Sequence, residues 1–445
     1  MNNNFIAQTF GKSTYYTDIP SALFKEYDVK KGLRNEDGTG VRVGLTRISD
    51  VVGYEYVDGA KTDTDGKLYY RGYRLKDLVA GKGEGHFGYE EVCFLLLFGY
   101  LPNKIELKNF KETISDWYSL PKEFLEMNLL RAPSKDLMNL LQITVLSLYS
   151  YDDKPDDNDP YQTVLKGLNI IGKLPLIICY GYQSQMHHYQ MKSLVIHYPR
   201  PEFSIAENIL YMLRADSKFT PQEAKMLDTL LMVHADHGGG NNSTFTSVAM
   251  ASTGTDIYST LSGAIGSLKG PKHGGANVSC YDMMQAVIDE IGFTKDEEKI
   301  RDVITRILAK DFYDNSGLVY GMGHAVYTMS DPRAEILREY CRDLAMEKGR
   351  MEEFEFRVLF EKIAREMISK KTGKVTSNNV DYYSGFAYDM LNIPKEIYTP
   401  LFACARAVGW LAHNIENKLY DGKIMRPATK YVGEPVEFKP VEGRK

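Results

Sequence analysis

Residues 220–237 read TPQEAKMLDTLLMVHADH, and this stretch decides the class of fold. Thr220 followed by Glu223 is a capping-box start, and Pro221 takes the first helical position, where its missing N–H costs nothing. Apolar residues then recur at helical spacing until the run reaches the polar HADH and a string of glycines. From Tyr89 onward the pattern repeats. Asp331-Pro332 launches RAEILREYCRDLAMEKG, which stops at Gly349. The expected fold is therefore mainly α. Its one strand signal lies near the N-terminus, where GYEYVDG (53–59) and KLYYRGY (67–73) alternate aromatic and polar residues around TDTDGK (62–67). Asp65-Gly66 is a turn signal, so a small β hairpin is expected over about 50–73.

Two further segments, SVAMASTGTDIYSTLSGAIGSL (247–268) and YTPLFACARAVGWLAHNI (398–415), carry Ala, Ser, Gly and Thr at helical spacing. Small residues let helix axes approach closely, which suits central helices or a dimer interface. The chain has 445 residues, too many for one simple core, so two domains, or one large domain carrying an inserted smaller one, are expected. Hydrophobic residues at 43% and charged residues at 25% are ordinary globular values, and a net charge of −5 argues against a nucleic-acid binder. Apolar runs such as VCFLLLFGYL are too short to span a bilayer, so no membrane anchor is expected. The start, MNNNFIAQTFGKSTYY, is not an Arg-rich amphipathic leader. Five scattered cysteines with no CxxC pair fit a reducing compartment, for which the cytoplasm is the simplest home. The acidic run SYDDKPDDNDPY (150–161) reads as a solvated loop or helix start, and GKGEGHFG (81–88) as a glycine-rich loop with no strand before it.

Chemistry concentrates in the middle of the chain. His234 and His237, three apart, offer a metal pair, but no HExxH motif occurs and glycines follow, so no metal site is expected. General acid and base chemistry on a small anion fits better. His273 in GPKHGG and His324 in GMGHAV sit among glycines that allow close approach, and Asp381 stands in NNVDYYSG. One carboxylate with two imidazoles suits abstraction of a carbon-bound proton, the imidazoles stabilising oxygens where charge develops. Arg333, Arg406 and Arg426 supply guanidinium groups that grip carboxylates bidentately.

In order along the chain, VHADHGGGNNSTFTS, GAIGSLKGPKHGGAN, GMGHAVYTMSDPRAE, NVDYYSGFAYDML and ARAVGWLAHNIEN with MRPATKYVG resemble the successive motifs of citrate synthases. The resemblance runs from the hairpin to residue 433. It implies a multi-helical homodimer with a large domain over 1–275, a lid over 276–390 and a return to the large domain over 391–445. It also implies an acyltransferase of the (Si)-synthase type, using acetyl-CoA and oxaloacetate as substrates, with no metal or organic cofactor. By the same resemblance Asp381 is the base, His273 holds the thioester oxygen, and His324 polarises the ketone of oxaloacetate. His237, Arg333 and Arg406 hold its carboxylates, and Arg426 reaches the site of the partner subunit. Lys370, Lys371 and Lys374 are candidates for the CoA phosphates. Gly238 stands where the family often has glutamate, Ala325 where many bacterial members have arginine, and TSNN (376–379) where a Pro-Asn-Val approach is common. The nearest rival is a 2-methylcitrate synthase or dual-specificity enzyme using propionyl-CoA; a non-catalytic helical binding protein and a metal-dependent hydrolase are the rivals of other classes.

Overall fold

The computed structural model describes residues 5–11, 18–82, 87–420 and 422–444, so parts of the glycine-rich stretch 81–88 and of the first seventeen residues lie outside the described residues. Two compact units result: residues 45–424, and residues 1–44 with 425–445. The smaller unit contributes a short helix at Ala22–Glu26 and a C-terminal segment whose one regular element is a single 3-10 turn at Val441–Gly443 among the described residues.

The larger unit is mostly helical, with one three-stranded antiparallel sheet. Strand β1 (Ser49–Val57) pairs with β2 (Ala60–Tyr70), which pairs with β3 (Tyr73–Arg74). The hairpin turn is not at Asp65-Gly66. It falls at Asp58-Gly59, with φ of 51° and 81°, between the paired residues Val57 and Ala60. Two-residue turns of this kind need positive φ at both central positions, and this Asp-Gly supplies them. Asp65-Gly66 lies inside β2, where the glycine allows a close approach to Ser330. Opposite Gly53 the register shifts, with Thr64, Asp65 and Gly66 of β2 facing that one residue, so the bulge lies in β2.

The helix starts follow local chemistry. Thr220 and Glu223 complete a capping box on the Pro221–His234 helix, Asp331 caps Pro332–Glu347, and Asp159 caps Pro160–Gln190. Asp152 of the acidic run accepts a 2.8 Å hydrogen bond from the Tyr258 hydroxyl, and Lys166 donates to the carbonyls of Lys154, Pro155 and Asp157. That run is therefore folded against the helices rather than merely solvated. The small-residue segment 247–268 breaks into two helices, Asn242–Ala251 and Ile257–Lys269, because Gly254 takes a φ of 82° and Asp256 caps the second. The Pro160–Gln190 helix is apolar and long enough to cross a bilayer, but its most apolar window is 83% buried within the protein, as in a core helix.

At the centre lies the Tyr398–Leu419 helix, in which every residue from Tyr398 to Ile415 is buried. It packs against Pro160–Gln190, Asn242–Ala251, Ile257–Lys269, Pro221–His234 and the VCFLLLF helix Tyr89–Phe98. Gly409 makes one of these approaches possible. A Cβ there would stand inside the van der Waals contact of the Ala235 carbonyl and the Asp236 side chain. With only hydrogen at that point, the central helix lies directly against the HADH end of the Pro221–His234 helix. That contact brings Arg406 to the histidines.

Candidate active site

Several elements meet around the HADH turn. Arg406, on the central helix and fully buried, donates from Nε to the His234 carbonyl at 2.5 Å. Its Nη1 and Nη2 find no hydrogen-bond partner among the described residues, and neither does Nε2 of the buried His237. A buried guanidinium with both terminal nitrogens unmatched is costly, unless an anion meets it. Burial lowers Arg406 to about 10, with Asp236 opposing the shift, so it stays charged near neutrality. Burial also pushes His237 well below its ordinary value, the Arg333 charge adding to it, so this imidazole is neutral.

Asp236 is the buffer of this charge. It is fully buried, and its Oδ2 lies 3.2 Å from His413 Nε2 and accepts from the Ser49 hydroxyl. Burial works to raise its pKa, but His413, Arg406 and Ser49 together hold it below the usual carboxylate range. The glycine after HADH is not a loose joint. Gly238 takes a φ of 81°, and its N–H donates to Ser49 Oγ and Asp236 Oδ2, both at 3.1 Å.

His324 reaches the same place from a loop laced to the segment before Asp381. Gly323 N–H donates to the Ser377 carbonyl at 2.7 Å, and Asn379 N–H to that of Gly321 at 2.9 Å. The Asn379 side chain works in two directions. Its Oδ1 accepts from Asp381 N–H at 3.0 Å, capping the Val380–Met390 helix, while its Nδ2 donates to the Gly323 carbonyl at 2.9 Å. The turn holding His324 and the helix start holding Asp381 are thus one construction.

The His324 ring lies 5.0 Å from that of His237 and stacks on Tyr327 at 4.6 Å, with 28° between planes. Val326 and Tyr327 both donate backbone N–H groups to His324 Nδ1, each at 3.0 Å. Nδ1 is therefore an acceptor and the proton of the neutral ring sits on Nε2. Arg333 Nη2 comes within 3.4 Å of that Nε2. The two polar tips meet at hydrogen-bond distance at the buried end of the site. Arg333 is itself locked by Asp331, which accepts from Nε at 3.0 Å and from Nη2 at 2.7 Å. Burial alone would lower Arg333; the Asp331 carboxylate outweighs it and raises the guanidinium above its ordinary value.

Asp381 and His273 complete the set. Burial pushes the Asp381 carboxyl up to about 6, against the pull of the Arg333 charge and a hydrogen bond from Asn277. His273 Nε2 lies 3.1 Å from both Asn241 Oδ1 and Ser243 Oγ, and Trp410 Nε1 donates to the same Ser243 oxygen at 3.1 Å. Burial, with the Arg406 charge adding to it, pushes His273 down to about 4. His273, His324 and Asp381 are each part-accessible, whereas His237, Arg333 and Arg406 are buried. The glycines after His273 serve the chain itself. A Cβ on Gly274 would meet the Leu268 carbonyl and Thr399, and one on Gly275 would meet Pro271.

The charged groups act on one another: Arg333 on Asp381 and His237, Arg406 on His237 and His273. Six of the residues singled out from the sequence therefore share one site. Arg426 is exposed and belongs to the smaller unit. Lys370, Lys371 and Lys374 are exposed at the end of the Met351–Thr372 helix and just past it; Lys370 pairs with Glu366 at 2.7 Å and Lys371 donates to the Leu308 carbonyl at 3.1 Å. Among the described residues no group of three or more His, Cys, Asp or Glu side chains could hold a metal ion. Tyr327, Asp331, Asp236, His413 and Asn277 were not singled out from the sequence as part of the site. Only Asp331 left a sequence signal, as the cap before Pro332.

Known proteins resemble this chain along nearly its whole length. A family model described as citrate synthase, C-terminal domain, matches residues 36–428. A citrate synthase of Synechocystis is 33% identical, covering 89% of this chain and 90% of that protein. A 2-methylcitrate synthase of Shewanella oneidensis is 31% identical, covering 85% and 92%. The solved ternary complex of carboxymethyl coenzyme A and oxaloacetate with citrate synthase from Thermoplasma acidophilum superposes with a TM-score of 0.77 at 27% identity, covering 94% of this chain and 99% of that one. With family-length coverage, a shared fold and the family's motifs gathered at one site, the chain belongs to the citrate synthase family.

Proposed function

We propose that the chain condenses acetyl-CoA with oxaloacetate and water to give citrate and CoA. The observation that carries this reading is the set of unmatched polar atoms at the buried end of the site. Arg406 Nη1 and Nη2 and His237 Nε2 have no hydrogen-bond partner among the described residues, and the His237 ring lies beside a His324 whose proton is held on Nε2. A keto dicarboxylate satisfies this pattern, its carboxylates on Arg406, Arg333 and His237 and its ketone oxygen on His324.

Asp381 takes a methyl proton from the thioester, and the electron pair of the broken C–H bond moves onto the thioester oxygen. His273 stabilises that oxygen. The tautomer that donates outward from Nδ1 needs Nε2 to accept, so the Ser243 hydroxyl, which donates to Asn241 Oδ1 at 2.9 Å, has to turn to Nε2 at 3.1 Å when the thioester is bound. A neutral imidazole suits this role, and a value of about 4 keeps His273 neutral at physiological pH. The enol carbon then attacks the ketone carbon, the new oxyanion is met by His324 Nε2–H, and water cleaves the citryl thioester. Aspartate is a weak base for so weak a carbon acid, so stabilisation of the enolate oxygen lowers much of the barrier. Raising Asp381 to about 6 strengthens the base without protonating it at pH 7. The scheme calls on side chains alone.

Shielding the enolate from water calls for closure, and we assign residues 276–390 to the closing lid. In the same reading two copies pair, and Arg426 serves the site of the second. The five cysteines are unpaired and buried, consistent with the cytoplasm. Propionyl-CoA as acyl donor is the second reading, supported by the similarity to the Shewanella 2-methylcitrate synthase, because one methylene is worth only about 1–3 kcal/mol of discrimination. The test is mass spectrometry of the product formed from oxaloacetate with each thioester. Citrate as the dominant product of an equimolar mixture supports the first reading, 2-methylcitrate the second, and neither product overturns both.

A further inference from the structure

The peptide between Val326 and Tyr327 has two faces. Its N–H, on Tyr327, donates to His324 Nδ1 at 3.0 Å. Its carbonyl, on Val326, lies against Gly53 of β1, so closely that a Cβ on Gly53 would stand inside van der Waals contact of that oxygen and only 3.0 Å from Tyr327 Cα. The strand thus backs the very peptide group that fixes the His324 tautomer. The contact continues along the loop. Thr328 Oγ1 donates to the Gly53 carbonyl at 3.2 Å, and Gly66 N–H donates to Ser330 Oγ at 3.2 Å. A Cβ on Gly66 would penetrate the Ser330 carbonyl and come within 2.8 Å of the Tyr327 ring and 2.9 Å of Pro332. Between them, Gly53 and Gly66 support the whole span from His324 to Arg333.

Neither glycine is demanded by its backbone angles, for neither is among the glycines of positive φ. Both are demanded by proximity. The register shift sets Thr64, Asp65 and Gly66 of β2 opposite the buried Gly53, so both glycines lie where the hairpin departs from regular pairing. Resting on the reading of the site given above, we propose that the β1–β2 hairpin is a positioning device for the keto-acid seat, with Gly53 and Gly66 as positioning residues that hold the 326–332 loop. The hairpin fixes the amides that keep the His324 proton on Nε2, and it holds the Asp331–Arg333 pair at the far end of the loop. The stacked Tyr327 ring transmits the same support to the imidazole.

The experiment compares wild type with Gly53→Ala and Gly59→Ala. Gly59 lies in the hairpin turn with a φ of 81° and nothing within 4 Å of its would-be Cβ, so alanine there strains the hairpin without touching the loop. Oxaloacetate affinity is measured by calorimetry without thioester, the His324 tautomer by nitrogen-15 NMR, and the melting temperature alongside. Gly53→Ala is expected to weaken oxaloacetate roughly 10- to 100-fold and to disturb the single Nε2–H pattern of His324, because displacement by about 1 Å is costly at a preorganised site. Gly59→Ala is expected to lower the melting temperature and leave both other readouts unchanged. Unchanged affinity in Gly53→Ala overturns the proposal, as does an equal loss in Gly59→Ala, which would mark the hairpin as merely structural. Should Gly53→Ala not fold, Thr328→Val removes one polar tie between loop and strand; a several-fold loss of affinity supports the proposal and no loss overturns it. Wild-type protein that fails to bind oxaloacetate overturns the proposed function itself, an outcome separate from a wild type that binds and a variant that binds equally.

Discussion

Asp381 pays for its reactivity in stability, and the two can be measured separately. Its carboxyl is raised from 3.8 to about 6 on folding, so between those values the folded state holds a proton that the unfolded state has released. The unfolded state therefore binds fewer protons in this window, and stability falls as pH rises through it. Asp381→Asn removes the penalty. It is expected to raise stability at pH 7 by on the order of 1–3 kcal/mol, read from denaturant midpoints, while turnover drops at least about 1,000-fold. The same carboxyl sets the acid limb of activity in the wild type, with kcat rising with pH until the base is ionised above about 6. A kcat independent of pH between 5 and 7 would contradict that role. Arg406→Lys keeps a charge but loses the fork; we expect oxaloacetate affinity to fall about 10- to 100-fold in calorimetry, because a single ammonium cannot replace Nη1 and Nη2 together.

At the scale of elements, the sequence was most legible where structure is decided locally. The capping box at Thr220 and the Asp331-Pro332 start needed only neighbours in sequence, and both helices begin there. The hairpin was legible in kind but not in register, since two Asp-Gly pairs compete and tertiary contact decides between them. Asp58-Gly59 takes the turn, where Gly59 meets nothing, whereas Gly66 is needed against Ser330. Likewise, His273, His324, Asp381, His237, Arg333 and Arg406 could be chosen by residue type and motif. Their supports could not: Tyr327 reads as an ordinary buried aromatic until its ring is seen against His324, and His413 acts through Asp236, 177 residues away in the chain. The Gly409 contact gives a prediction at this scale. Gly409→Ala drives a methyl into the Ala235 carbonyl, so destabilisation of about 1–3 kcal/mol is expected in thermal melts, together with weakened oxaloacetate binding through displaced Arg406. Binding retained at full strength in a destabilised variant would separate the helix contact from the site.

For the whole molecule, function is predicted to need two chains. Arg426 lies in the smaller unit and the other six residues in the larger. Mixing inactive Arg426→Ala and Asp381→Ala proteins should restore partial activity, because a heterodimer contains one site with both residues intact. No recovery after confirmed subunit exchange would contradict a shared site. The central claim, that Asp381 draws a proton from an acyl thioester beside bound oxaloacetate, is tested most directly by free-thiol release from acetyl-CoA and propionyl-CoA, with and without oxaloacetate, in wild type and Asp381→Asn. The predicted result is oxaloacetate-dependent release with acetyl-CoA favoured in kcat/KM, abolished in Asp381→Asn although calorimetry still shows oxaloacetate bound. Thiol release that persists in Asp381→Asn, or that proceeds equally without oxaloacetate, would contradict it.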